Sequence, residues 1–233
     1  MKRNLTKTNE FFYVLGMVLC ALGVALSAKS GFGVSMVVAP AYVLHRFFVE
    51  TFPWFSFGIA EYVLQGTIIL LSAVICRRFR LKYLGCVFGV LFYGALVDFW
   101  RGIVGTNVPE GVALRLLMAT LGAVIVSLAI AMLLRTYLPQ QAYELCVQEI
   151  TDCYSLPLSR VKWSYDIASL LIAIALMFVL FGRFDFTVIG PATLVLTVIN
   201  APMITLFGKL LDRISDFSPA FCRFHRFYTE KLG

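Results

Sequence analysis

The sequence predicts an all-α fold: a polytopic membrane bundle of six transmembrane helices, arranged as a 3+3 inverted repeat. A broken, re-entrant segment is expected after the first helix. Three observations carry this reading. Hydrophobic residues make up 60% of the 233 positions and charged residues only 14%, whereas a soluble domain carries about 25% charge. The apolar residues fall in long blocks rather than one-sided stripes, as membrane spans do. Lys and Arg gather in the short connections and at the termini.

In chain order the expected spans are 11–29, 58–76, 83–104, 111–134, 162–182 and 187–209, forming one membrane domain over residues 1–233. The first follows Met1-Lys2-Arg3 and imitates a signal peptide. Its apolar run exceeds the usual ~7–15 residues and more spans follow, so it reads as a retained helix. With the N-terminus inside, 15 of the 20 basic residues fall on the cytoplasmic side. That bias sets the orientation, with both termini cytoplasmic.

The connection after the first span shapes the functional expectation. Gly31 and Gly33 break the helix behind Lys29, Ser35 follows, and Pro40 sits in a second apolar piece, 34–48. That piece is too short for a bilayer core, which takes ~20 helical residues. Irregular backbone at membrane depth is tolerated only inside protein or against water, so such pieces line cavities in transporters.

The second long connection, 136–161, contains Glu144, Gln148 and Glu149 among Leu145, Val147 and Ile150. It is expected to form an amphipathic helix on the cytoplasmic side, at the surface or partly tucked into the bundle, with Cys146 and Cys153 on one face. The tail 210–233, carrying Phe221, Arg223, Phe224 and Arg226, is expected to lie in the cytoplasmic interface. Within the last span, Pro202 predicts a kink, with the Asn200 amide serving freed carbonyls or a ligand.

A shift of 105 residues brings Glu61 onto Asp166, Arg78-Phe79 onto Arg183-Phe184 and Gly85 onto Gly190. One further residue of shift brings Lys29 onto Arg135 and Ala25 onto Ala131. The halves, 11–104 and 111–209, each hold three spans and one interruption. An odd number of spans per half inverts one half relative to the other. Small residues four apart on the first helix (Gly16–Cys20, Ala21–Ala25, Gly23–Ser27) and the fourth (Ala119, Ala123, Ser127, Ala131) predict that these two pack centrally.

Ionisable groups at membrane depth are costly and mark sites or ion pairs. The candidates are Glu61, Asp98, Arg101, Arg115 and Asp166, with Asn200 beside them and the backbone of Gly31, Gly33, Ser35 and Pro40. Asp98 and Arg101 are expected to pair along one helix, with Arg115 and Glu61 completing the cluster near the outer face. Such a cluster either fixes helix register or holds an anionic or zwitterionic solute. The two histidines, His45 and His225, fall on opposite sides, and no nucleophile–base or HExxH pattern occurs. An enzyme is therefore not expected. The six cysteines lack metal-ligand spacing, so neither metal nor cofactor is expected. The net charge of +7 is explained by positive-inside loops rather than by nucleic acid.

Lys29-Ser30-Gly31-Phe32-Gly33-Val34-Ser35, Phe57-Gly58-Ile59-Ala60 and the stretch Leu84-Gly85 to Val97-Asp98-Phe99 resemble motifs of the YczE/YitT-type bacterial membrane proteins. Tyr154-Ser155-Leu156-Pro157 and Val188-Ile189-Gly190-Pro191 correspond to that family's second half, and the resemblance spans roughly residues 12–212. It departs where Gln140-Gln141-Ala142-Tyr143 replaces a second glycine-rich turn. The resemblance implies a bacterial plasma-membrane location and leaves the substrate open.

Three functions follow as expectations. The first is a secondary-transporter-like permease for a small polar or anionic solute, within the lipid bilayer, with a homodimer as one expected assembly. The second is a substrate-capture subunit of a vitamin-type importer, on the strength of Ala21–Ala25. The third is a non-transporting accessory protein using 139–158, with Glu144 and Glu149, as its partner surface.

Overall fold

A computed structural model describes residues 9–77, 82–136, 138 and 141–214. Among these the chain forms eight helices and no strand. They are α1 (Asn9–Ser30), α2 (Ala39–Thr51), α3 (Phe57–Ile75), α4 (Lys82–Val104), α5 (Val112–Leu133), α6 (Ala142–Tyr154), α7 (Leu158–Phe181) and α8 (Pro191–Ile214). Five of them, α1, α3, α4, α5 and α7, are long and apolar enough to cross a membrane. α8, with 24 residues, occupies the place expected for the sixth span. The two short helices, α2 and α6, have 13 residues each. At 1.5 Å per residue each reaches about 20 Å, short of a ~30 Å hydrocarbon core. The outward faces of the long helices carry Leu70, Val74, Phe88, Leu116 and Val179, all exposed. A contiguous apolar exterior of this kind suits lipid rather than water.

Local chemistry sets the helix ends. α1 stops where Gly31 and Gly33 take φ of +65° and +102°, a region costly for residues with a Cβ. Ser56 caps α3 by accepting from the Ile59 N–H at 3.1 Å. Pro40 sits in the first turn of α2, where its missing N–H costs nothing. Pro202 lies inside α8, which the expected kink does not interrupt.

α1 makes its most extensive contact with α5. A Cβ on Gly23 would sit 2.8 Å from the Gly122 carbonyl, and one on Gly122 would sit 2.5 Å from Ser27 Oγ. The small-residue faces of the two helices thus let their backbones touch. Around this pair, α1 leans on α4 and α5 on α8. The short α2 packs on α3 and α7, and the short α6 packs on α3 and α7 as well.

α6 decides between two expected placements. Tyr143, Leu145, Cys146, Val147 and Glu149 are buried, so it is an internal element wedged against α3 and α7, the tucked-in form of the expected helix rather than the surface one. The bundle meets part of its polarity: the Tyr83 hydroxyl donates to Glu149 Oε2 at 2.9 Å. Glu149 is fully buried and is unavailable as the partner surface the accessory reading needs. From residue 215 onward the tail lies outside the described residues, as do Arg78, Arg80, Pro139 and Gln140.

Candidate solute cavity

The two chain interruptions converge on one cavity of about 210 Å³. The first contributes Ser35, Met36, Val37 and Val38 just before α2. The second contributes Gln141, Tyr143 and Glu144 at the start of α6. Between them stand Cys20 and Val24 of α1, Tyr93 of α4, Lys162, Trp163 and Asp166 of α7, and Asn200 of α8.

The first interruption is held open by backbone pairing. The Val34 N–H donates to the Val188 carbonyl at 3.0 Å, and the Ala192 N–H donates to the Phe32 carbonyl at 3.1 Å. The Thr193 hydroxyl donates to the Val34 carbonyl at 2.8 Å. The chains run so close that a Cβ on Gly33 would lie 2.3 Å from Thr193 Oγ1, and one on Gly190 would lie 2.3 Å from the Phe32 carbonyl. The second interruption is tied differently. The Ala142 N–H donates to Gln65 Oε1 at 3.2 Å, and the Gln141 amide reaches Cys20 Sγ at 3.5 Å.

The cavity is polar at its α6 end. Lys162 Nζ pairs with Asp166 Oδ1 at 3.2 Å, and Glu144 stands beside them. Burial pushes the Glu144 carboxyl above its ordinary value, against the opposing pull of Lys162. With two carboxyls and one ammonium, this end gains a net negative charge as Glu144 ionises. The Tyr93 hydroxyl is fully buried beside the weakly bonding Cys20 thiol and has no stronger hydrogen-bond partner. The Tyr143 hydroxyl donates to Glu61 Oε2 at 2.6 Å, and the Gln65 amide donates to the same oxygen at 2.9 Å. Glu61 Oε1 is buried without a partner.

Of the candidates read from sequence, Asp166, Asn200 and Ser35 line this cavity, and Glu61 lies one hydrogen bond behind its wall. The Asn200 Oδ1 accepts from the Ser127 hydroxyl at 2.7 Å, tying α8 to α5. Gly31, Gly33 and Pro40 shape the break without lining the cavity.

The expected cluster of Asp98, Arg101, Arg115 and Glu61 does not form. Asp98 turns to α3, accepting from Ser56 Oγ at 2.5 Å and the Gly58 N–H at 2.7 Å. It is an N-terminal cap supplied in trans, placed where helix N–H groups lack partners. Arg101 instead lies 5.7 and 5.4 Å from the Tyr42 and Phe57 ring centres and 3.4 Å from His45 Nε2. Arg115 donates to the Ser30 and Gly31 carbonyls at 2.8 and 2.9 Å, over the Phe32 ring. Asp98 and Arg115 thus close helix ends, and Arg101 packs on aromatic rings, uses the sequence spacing alone did not reveal.

The sequence reading missed Gln141, Tyr143, Glu144, Tyr93 and Lys162 as cavity residues. The available signal was symmetry: if the first break lines a cavity, its repeat counterpart at 136–161 should too.

A family model described as a family of unknown function (DUF6198) matches residues 7–209. No curated protein matches, and no solved structure matches.

Proposed function

Because the chain belongs to the DUF6198 family, a family of unknown function, no activity is inherited, and we propose from the cavity itself a secondary-transporter-like permease for a small polar solute. The observation that carries this is the meeting of both helix breaks on one cavity, mostly apolar in its walls, with Glu144, Lys162 and Asp166 gathered at one end. Discontinuous helices that converge at a buried polar site are the recurring device of secondary transporters. The resemblance to the YczE/YitT-type proteins enters here as a proposed kinship in fold.

The inverted repeat belongs to this proposal, and three features support it. The helix order long, short, long, long occurs twice, as α1–α4 and α5–α8. Exchanging each helix with the one four places on exchanges the α1–α4 contact for α5–α8, and α2–α7 for α6–α3. Lys29 at the end of α1 donates to the Val104 carbonyl at the end of α4. Its repeat counterpart Arg135, just past α5, binds Asp212 near the end of α8 at 2.5 and 2.7 Å. In this reading six spans cross a bacterial plasma membrane, α2 sits at the outer end and α6 at the inner, and both termini are cytoplasmic.

The arginines that motivated an anionic solute are occupied elsewhere, and the cavity carries two carboxyls and one ammonium. The solute is therefore assigned to the small cations and zwitterions. Its acidic and basic groups are read as binding rather than catalytic. Glu61, fully buried and with no cationic partner among the described residues, is the proposed proton-coupling group, as intramembrane carboxylates are in pumps.

The test is counterflow in proteoliposomes, with a panel of labelled amino acids, polyamines and quaternary amines. Exchange of one class is expected, lost in Asp166→Asn, weakened and made insensitive to pH in Glu144→Gln, and retained in Gly66→Ala. Exchange of none of the panel would remove the permease reading.

A further inference from the structure

We propose that Cys76, Glu149 and Cys153 form a binding site for a soft divalent cation of the zinc and cadmium class, at the α6 end of the bundle and separate from the solute cavity. The ligand atoms of these three side chains all lie within 4.8 Å of one another. A tetrahedral ion with metal–sulfur bonds near 2.3 Å and metal–oxygen bonds near 2.0–2.2 Å holds its ligand atoms about 3.5–3.8 Å apart. The triangle needs to close by roughly 1 Å, and both thiols stand where that is cheap. Cys76 is the C-cap of α3, and Cys153 lies in the last turn of α6.

Local geometry already assembles the set. Glu149 and Cys153 are four residues apart on α6, which places them on one face of the helix. Cys76 arrives from the facing helix, its thiol 3.5 Å from the Glu149 carbonyl. The Tyr83 hydroxyl, fully buried, donates to Glu149 Oε2 at 2.9 Å. A hydrogen bond of this kind onto a ligating carboxylate fixes its orientation and raises its affinity for a metal.

The donor set defines the ion. Two thiolates select against magnesium and calcium, and the carboxylate favours a divalent over a cuprous ion. Three protein ligands leave a fourth position for water or a small ligand. Cys153 is only partly buried, which gives the ion a way in. The sequence concealed the site because Cys76 lies 73 residues before Glu149 and no short motif joins them.

The experiment is a cobalt(II) titration of the purified full-length protein in detergent, kept reduced. Expected are a thiolate-to-cobalt charge-transfer band and tetrahedral ligand-field bands, saturating at one ion per chain and bleached by zinc. Cys76→Ser and Cys153→Ser each weaken the charge-transfer band, and together they abolish it. Tyr83→Phe lowers affinity by about ten- to a hundredfold, and Cys86→Ser leaves the spectrum unchanged. Absence of the band in the reduced parent protein overturns the proposal. So does a band that persists in the double variant. Should the double variant fail to fold, alkylation of the parent protein decides the matter: bound zinc must protect Cys76 and Cys153 from maleimide, and protection of any other cysteine instead refutes the site.

Discussion

Asp98 shows how a charge at membrane depth is used here. Its carboxylate accepts from Ser56 and from the Gly58 N–H, so it belongs to the α3 cap rather than to a solute site. Asp98→Ala strands both donors in a partly buried place and is expected to cost about 2–4 kcal/mol, read as a fall in melting temperature in detergent. Asp98→Asn keeps one acceptor oxygen and should cost less. Neither change should alter solute binding in the cavity. His45 supplies a pH test at the same scale. The Phe55 carbonyl can only accept, so His45 Nδ1–H donates to it at 3.0 Å, leaving the Nε2 lone pair toward Arg101. Burial, and then Arg101, lowers the His45 value from 6.5 to about 4. Between those values the unfolded chain binds more protons than the folded one, so stability rises with pH. The contribution is fully present above pH 6.5 and is lost as pH falls toward about 4, at most about 3 kcal/mol. His45→Gln should flatten melting temperature across that window. The sequence named Asp98 and Arg101 as charges at membrane depth, and both are partly buried. Their partners, supplied from 40 and more residues away, could not be read from a three-residue spacing on one helix.

The helical elements were the most legible part of the chain, because a span is written in twenty consecutive residues. The expected bounds 58–76 and 83–104 differ from Phe57–Ile75 and Lys82–Val104 by a single residue at most ends. α6 was legible as a helix, less so in place. Its mixed polarity matches a surface element, yet its first N–H meets Gln65 and its Tyr143 and Glu149 side chains meet Glu61 and Tyr83 inside the bundle, partners no periodicity reveals. The break between α1 and α2 offers a graded test. Gly33→Ala must force a Cβ against Thr193 Oγ1 and the Gly190 N–H in a left-handed backbone conformation. Gly190→Ala meets the Phe32 carbonyl. Both should lower melting temperature sharply or prevent folding. Gly66, within α3, has open space around its Cβ position. Gly66→Ala should therefore be neutral or stabilising by about 0.5–1 kcal/mol.

Across the whole molecule, the polar groups sort into two populations. At the end bearing α2, Lys29, Arg115 and Asp98 are spent on helix ends and Arg101 on aromatic rings and His45. The polar side chains around the central cavity, Glu144, Lys162 and Asp166, are gathered where the two breaks meet. The electrostatics predict a direction. As pH rises, Glu144, held above its ordinary value by burial, ionises and the cavity becomes more negative, so a cationic ligand should bind more tightly. Glu144→Gln should remove that pH dependence while leaving the Lys162–Asp166 pair in place.

The most direct test of the central claim is a thermal-unfolding screen of the purified protein in detergent against small cations, zwitterions and anions, beside Asp166→Asn and Asp98→Asn. A ligand at 100 times its dissociation constant stabilises the folded state by about 2.7 kcal/mol. The account predicts a shift with a cationic or zwitterionic compound that survives in Asp98→Asn and vanishes in Asp166→Asn. A shift that vanishes in Asp98→Asn and survives in Asp166→Asn would contradict it, and would return the binding site to the helix-end charges.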